Sequence, residues 1–346
     1  MGYAKEKAQQ NRKAKRIKRI IYGALAVLFI AFCIISAFVS PDNWKFHFGL
    51  PSVKKRAEGE LRVHFISVGQ GDATLIELPD GKTALIDTGN GTENSNKALL
   101  RHLNALDINE IDYLILTHLD NDHIGGVDEL FENKEIKKAF LPVNLLGSVD
   151  DASYSAIEGK IARERCESFL ACPPSQENLD TDMSNRFGSY PYTFTFVYPT
   201  QSIVKKLDAY YPETTNETSV NIWLDYKGVS FLFTGDAPVG VEEMITRNDG
   251  VGSYDDNGVD LASTEILKVA HHGAEGSTST TLLEYLSDLE TAIISCGEDN
   301  IYKHPTPSVI ERLENFGANI YRTDEQGSIV ITAKVNGVYS IESLGK

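Results

Sequence analysis

No Cys-x-x-Cys pair occurs in the 346 residues, and the only cysteines are Cys33, Cys166, Cys172 and Cys296. A cysteine-based zinc knuckle is thereby excluded. Histidine is sparse as well, eight in all, with none between His123 and His271. Net positive charge is missing from the body of the chain. Lys5, Lys7, Arg12, Lys13, Lys15, Arg16, Lys18 and Arg19 face only Glu6 in the first nineteen residues, and setting that +7 aside takes the formal net charge from -16 to -23. So acidic a body has no electrostatic footprint for gripping a long polyphosphate backbone unless metals or a local patch supply the positive charge.

What is present begins with a membrane-like segment. Residues 20–39, IIYGALAVLFIAFCIISAFV, carry no charge, enough to cross a hydrocarbon core of about 30 Å as one helix. The basic flank predicts a cytoplasmic N-terminus, and Trp44 suits the outer interface. Lys54, Lys55 and Arg56 on the far side weaken this bias without reversing it. A cleaved signal peptide is the alternative, but Ala37-Phe38-Val39 is a poor small-residue cleavage site. The expected organisation is a basic cytoplasmic tail (1–19), a transmembrane helix (20–39), a linker (40–60) and one extracellular domain (61–346), anchored in the plasma membrane by a single pass. In an oxidising compartment Cys166 and Cys172 are spaced to bridge; two thiols on a helix is the alternative.

From Arg62 the chain turns to short apolar runs. RVHFISV, ATLIEL and KTALIDTG read as strands, the last two joined at Pro79-Asp80-Gly81 and ending at Asp87. SNKALLRHLNAL reads as a helix and IDYLILTH as a buried strand delivering His118. A weakly periodic stretch, about 145–185, predicts an insertion with one helix near 155–170. SVNIWLDYKGVSFLFTGD then repeats strand, turn and strand, ending at Asp236. Two hairpins each ending in an aspartate predict a duplicated α/β layer, with two sheets face to face and helices outside.

Chemistry concentrates in LTHLDNDHIGG, where His118, Asp120, Asp122 and His123 fall within six positions after a strand and before a glycine pair that permits an abrupt turn. Asp87, Asp236 and the pair His271-His272 also follow apolar strands. Two divalent cations about 3.5 to 4 Å apart need a bridging carboxylate and N and O ligands from separate loops, which this pattern provides.

The stretches FISVGQGDATLIELPDGKTALIDTG, LTHLDNDHIGG, FLFTGD, LKVAHHGAEGSTS, IYKHPTP and YRTDEQGSI resemble the metallo-β-lactamase-fold hydrolases, most of all the extracytoplasmic hydrolase domain of the ComEC competence family. The resemblance covers nearly everything from Arg62 to Ile331. It implies a four-layer αββα sandwich. It also implies Asp236 as the metal bridge, Asp122, His123 and His271 on one metal, and His118 and Asp120 on the other. Asp122 would in addition hold or accept a proton of the attacking water. Asp87 would orient His118 from behind. Spacing does not separate His271 from His272; His271 is preferred because it follows LKVA directly, leaving His272 as a supporting residue or proton donor. The familiar His-x-His-x-Asp-His pattern is not met, and Asn216 and Ser219 match the Asn-x-x-Ser element that stands for a further histidine in the ComEC-like branch. Oxygen in place of imidazole makes the first site harder, so manganese competes with zinc, with one or two metals bound.

Three elements keep two readings. His304 either touches substrate or donates a proton, or else caps a turn. Gly69 to Asp72 forms a rim of the site or a simple turn, and Ser277, Thr278 and Ser279 cap the next helix or bind phosphate there. The expected function is a membrane-anchored, metal-dependent phosphodiesterase acting by metal-activated water on single-stranded DNA or a teichoic-acid-like polymer. A non-enzymatic anchored scaffold that keeps the fold, or a DNA-uptake accessory, is the alternative.

Overall fold

Runs of three to seven residues, apolar on one or both faces and closed by turn residues, build two sheets in the computed structural model, which describes residues 2–38, 53–143, 151–173, 182–200, 215–247 and 259–345. β1 (Leu61–Phe65), β2 (Thr74–Glu77), β3 (Thr83–Ile86), β4 (Glu110–Ile115), β5 (Glu135–Leu141) and β6 (Glu167–Leu170) form most of the first. β7 (Thr193–Tyr198), β8 (Asn221–Tyr226), β9 (Val229–Phe233), β10 (Ile266–Lys268), β11 (Thr291–Ile294) and β12 (Asn319–Arg322) form the second. β13 (Ile329–Ala333) and β14 (Tyr339–Ser343) return to the first sheet beside β1, giving the order β14-β13-β1-β2-β3-β4-β5-β6 against β12-β11-β10-β9-β8-β7.

The two sheets share a plan. β2 and β3 pair antiparallel, and β3, β4 and β5 then run parallel. Likewise β8 and β9 pair antiparallel before β9, β10 and β11 run parallel. Strands that run parallel end at the same edge, so the segments after β3, β4, β9, β10 and β11 come together.

Three apolar layers separate the elements. Val63, Phe65, Phe196, Phe231 and Ile293 fill the space between the sheets. Leu99 and Leu103 of helix Glu93–Ala105 cover Leu85 and Leu114 on one outer face, and Val309 and Leu313 of helix Pro307–Phe316 cover Ala292 on the other. Helices on both outer faces make the expected αββα layering. Each large side chain fully buried in such a layer contributes about 1.5–3 kcal/mol.

Three expectations change. The helix expected near 155–170 is Asp151–Arg163, followed by strand β6, which extends the first sheet beside β5. Arg165, with φ 56°, breaks the chain away from the helix between them. No disulfide joins Cys166 and Cys172. They flank β6, and an extended strand rising about 3.3 Å per residue carries them far beyond bridging distance.

The chain falls into two compact units, Met1–Ser52 and Val53–Lys346. In the first unit, helix Gly2–Phe38 carries the basic run and the uncharged stretch up to Phe38. Among the described residues no helix is long and apolar enough to cross a membrane. The single-pass anchor expected at 20–39 therefore has no support from the structure, and Val39 lies outside the described residues.

Candidate metal centre

β4 ends at Ile115, Thr117 and His118 follow just beyond it, and the chain then enters the one-turn helix Asn121–Ile124, which turns Asp122 and His123 back toward the strand end. The glycines that follow are not used for positive φ: Gly125 has φ -60° and Gly126 φ -86°. They are needed for close approach, since a Cβ on Gly125 would stand 2.5 Å from the carbonyl carbon of Asn90 and one on Gly126 2.3 Å from Thr88 O.

Asp236 lies 2% exposed at the centre, its backbone N–H donating to Ser219 Oγ at 3.2 Å. Its Oδ1 stands 3.2 Å from His123 Nε2, and its Oδ2 lies 3.6, 3.7 and 3.8 Å from Nε2 of His272, His271 and His118. Four imidazoles thus converge on one carboxylate. Asp120 Oδ2 is 3.8 Å from His118 Nε2, with Oδ1 accepting from Thr215 Oγ1. Asp122 Oδ2 is 3.1 Å from His272 Nε2.

The far sides of the rings decide which nitrogens face inward. Asp87, turned by φ 60° at the end of β3, accepts from the Thr117 N–H at 2.8 Å, the Thr117 hydroxyl at 2.7 Å and His123 Nδ1 at 2.7 Å. Because its one proton goes to Asp87, the Thr117 hydroxyl accepts from His118 Nδ1 at 3.0 Å. The expectation that Asp87 orients His118 is therefore corrected: it holds His123 directly and reaches His118 only through Thr117. Ser295 O takes the Nδ1–H of His272 at 2.9 Å. All three rings have Nδ1 engaged on the far side and turn Nε2 toward the centre, an arrangement suited to ligating a cation once any proton held there has left.

His271 and His272 both adopt left-handed backbone, φ 50° and 54°, in the turn Ala270–Gly273. Strain of this kind gathers at functional sites. It splits the pair: His272 is buried, whereas the His271 side chain is 35% exposed, with Asn216 Nδ2 3.5 Å from its Nδ1. The geometry favours His272 over the expected His271, since among the described residues the groups able to enclose a cation contain His272 and not His271.

Burial costs these charges, yet their neighbours outweigh it. His123 is buried, but Asp236 and Asp87 raise it well above the usual histidine value. His272, also buried, is pushed up to about 10 by Asp236 and Asp72. His118 falls to about 3 through burial and the charge of His123. Asp236 is held well below the usual carboxylate range by His123 and His272 despite its burial. The residues fit a divalent cation: His118 Nε2, His123 Nε2 and Asp236 Oδ1 are buried without a hydrogen-bond partner, and such orphans call for an ion or other ligand. Among the described residues four sets of ligand atoms converge: Asp236 with His118 and His123, Asp122 with His123 and His272, and two that contain Asp72, one with Asp236 and His272 and one with Asp87 and His123.

The remaining candidates surround this core. His304 is half-buried, its ring 5.7 Å from that of His271 and stacked parallel with Tyr302 at 5.9 Å. The loop Gly69–Asp72 packs on the ligand turn, Asp72 N–H donating to Asp122 O at 3.1 Å. Gly71 has φ +136°, and a Cβ there would stand 2.3 Å from Asp122 O. Ser279 caps helix Thr280–Tyr285 by accepting from Leu282 N, and the Thr278 and Ser279 N–H groups donate to the Glu242 carboxylate. The phosphate-binding alternative at Ser277–Ser279 thus fails, because a carboxylate already takes those amides. A cleft of about 620 Å³ opens on Asp120 and Asp122 between Gln70, Asn90, Asn121 and Tyr302. Thr117, Thr215 and Lys268 were not anticipated; a lysine on an apolar strand, as in ILKVA, was the available signal for the last.

Histidines at the edges of two sheets converge on Asp236, and residues 66–298 match the Metallo-beta-lactamase superfamily. The chain belongs to that superfamily. It is 28% identical over 288 residues to ComE operon protein 3 of Bacillus subtilis (strain 168), covering 79% of this chain and 33% of that protein. It is similarly 28% identical to Recombination protein 2 of Haemophilus influenzae, over 80% of this chain and 29% of that one. The chain therefore spans about a third of the length of these relatives. Among solved structures, YhfI from Bacillus subtilis aligns with 82% of this chain and all of its own at 12% identity and a TM-score of 0.43. Zn(2+)-bound PqqB from Methylobacterium extorquens aligns with 75% of this chain and 97% of its own at 10% identity and a TM-score of 0.43.

Proposed function

We propose that this chain is a metal-dependent hydrolase of phosphodiesters, held at the outer face of a membrane by its N-terminal segment. One observation carries the hydrolase reading: three imidazoles pinned at Nδ1 turn their Nε2 atoms toward a buried aspartate, beside two carboxylates that line an open cleft. His118 with Asp120, and Asp122 with His123 and His272, would together with Asp236 hold zinc or manganese, with His271 at the rim. Such cations supply positive charge to an attacked phosphoryl group and acidify water. Asp122, at the cleft floor and hydrogen-bonded to His272, holds the proton of the attacking water. His304 and Tyr302 meet the substrate beyond His271. Burial and the charges of His272 and His271 lower His304, which suits a neutral hydrogen-bonding contact better than a proton donor.

The uncharged stretch after a basic run supports membrane attachment, and the similarity to competence proteins supports single-stranded DNA as substrate, with a teichoic-acid-like polymer as the competing phosphodiester. The test is hydrolysis of bis-p-nitrophenyl phosphate, single-stranded DNA and a glycerol-phosphate polymer with manganese or zinc. The reading expects turnover of at least one diester that Asp122→Ala abolishes. Metal-loaded protein inert toward all three would end it.

A further inference from the structure

Lys268 is the last residue of β10 and is 3% exposed. Its ammonium forms an ion pair with Asp72 Oδ2, and Asp72 is equally buried. Asp72 faces the centre from behind, Oδ1 3.4 Å from His272 Nδ1 and Oδ2 3.9 Å from His123 Nδ1. The Gly69–Asp72 loop is therefore more than a rim, because it carries a carboxylate under the imidazoles and clamps it to a lysine. A lysine is rarely buried without a reason, and this one lies where any bound cation would repel it.

We propose that Lys268 is a built-in cation of the centre, supplying one fixed positive charge that the carboxylates would otherwise take from bound metal. The inference rests on the metal-centre reading. Asp72, Asp87, Asp120, Asp122 and Asp236 together carry five negative charges when ionised, and Lys268 answers one of them. Two divalent cations balance the four that remain, whereas with Lys268 removed an extra negative charge draws cations more strongly. Asp72 acts in the opposite sense, since it adds negative charge and backs the Nδ1 side of His272. Lys268 is thus a positioning and charge-setting residue that touches neither substrate nor metal.

The experiment is equilibrium dialysis of the full chain against manganese alone, with bound metal counted by mass spectrometry and thermal unfolding recorded in parallel. Lys268→Met is expected to tighten manganese binding by about tenfold or more, the scale of a lost repulsion between close charges in a protein interior. Asp72→Asn is expected to weaken it by a similar factor, although both variants unfold at lower temperature. Lys268→Arg, which keeps the charge, is expected to stay near wild type. Lys268→Met with Asp72→Asn leaves the net charge unchanged and no buried charge unpaired, so it folds where a single variant fails and binds manganese close to wild type. The proposal is overturned if Lys268→Met weakens binding in step with lost stability, if Lys268→Arg shifts affinity as far as Lys268→Met does, or if the double variant departs strongly from wild type. Wild-type protein that binds no manganese or zinc sinks the metal-centre reading itself, a result distinct from these.

Discussion

The hairpins β2–β3 and β8–β9 look alike in sequence, each a pair of short apolar strands closing on an aspartate, yet the two aspartates do different work. Asp236 enters the centre with four imidazole Nε2 atoms within 3.8 Å. Asp87 turns away behind the rings and spends its oxygens on Thr117 and His123. The comparison teaches that a carboxylate at a strand end is assigned its role by the hydrogen bonds it has already made. Asp87 is satisfied by protein groups, whereas Asp236 keeps Oδ1 unpartnered.

The largest effect expected from this difference is at Asp236. Asp236→Asn should abolish high-affinity manganese or zinc binding and all diester hydrolysis, because the bridge loses its charge; a variant that still retains metal through dialysis would break the comparison. Next comes the histidine pair. His272→Ala should reduce metal affinity by about a hundredfold and His271→Ala by no more than about tenfold, by competition with a chelator, and the reverse order would restore the preference drawn from sequence. Behind the rings, Asp87→Asn should cost about 10–100-fold in metal affinity, the usual range for a group that orients ligands. Thr117→Val, which severs only the path to His118, should cost less; equal losses would mean that Asp87 serves both rings alike.

The smallest effect is the pH response. Without a cation, His272 is raised to about 10 from an ordinary 6.5. A raised histidine stabilises the fold fully below its unfolded value and loses that contribution as pH climbs through the folded value. Metal-free protein should therefore lose stability between about pH 6.5 and 10, while manganese affinity rises over the same window because a proton must leave before the cation enters. Thermal unfolding and calorimetric titration check both signs, and a flat response across that window would contradict them.

Much of this was legible in the chain itself. LTHLDNDHIGG and the two hairpin aspartates could be placed because they end apolar strands, and parallel strands bring such ends together. The partner of each nitrogen was not legible. That Asp87 holds His123 depends on a positive φ and on the single proton of the Thr117 hydroxyl, neither of which spacing records. The choice between His271 and His272 turns on two left-handed residues in succession, a conformation no local pattern announces. β6 was hidden because the helix before it gives way to a left-handed residue, Arg165, with no glycine or proline to mark the stop. Lys268 went unread because its buried partner, Asp72, lies nearly two hundred residues earlier in the chain.

The most direct measurement is the metal content of the full-length chain after dialysis against manganese or zinc, counted by mass spectrometry beside Asp236→Asn. Charge balance around Asp236 predicts about two divalent cations per wild-type chain and a sharp loss in the variant. Wild-type protein that emerges free of metal, or a variant that holds as much as wild type, would contradict the assignment of this site as a metal centre.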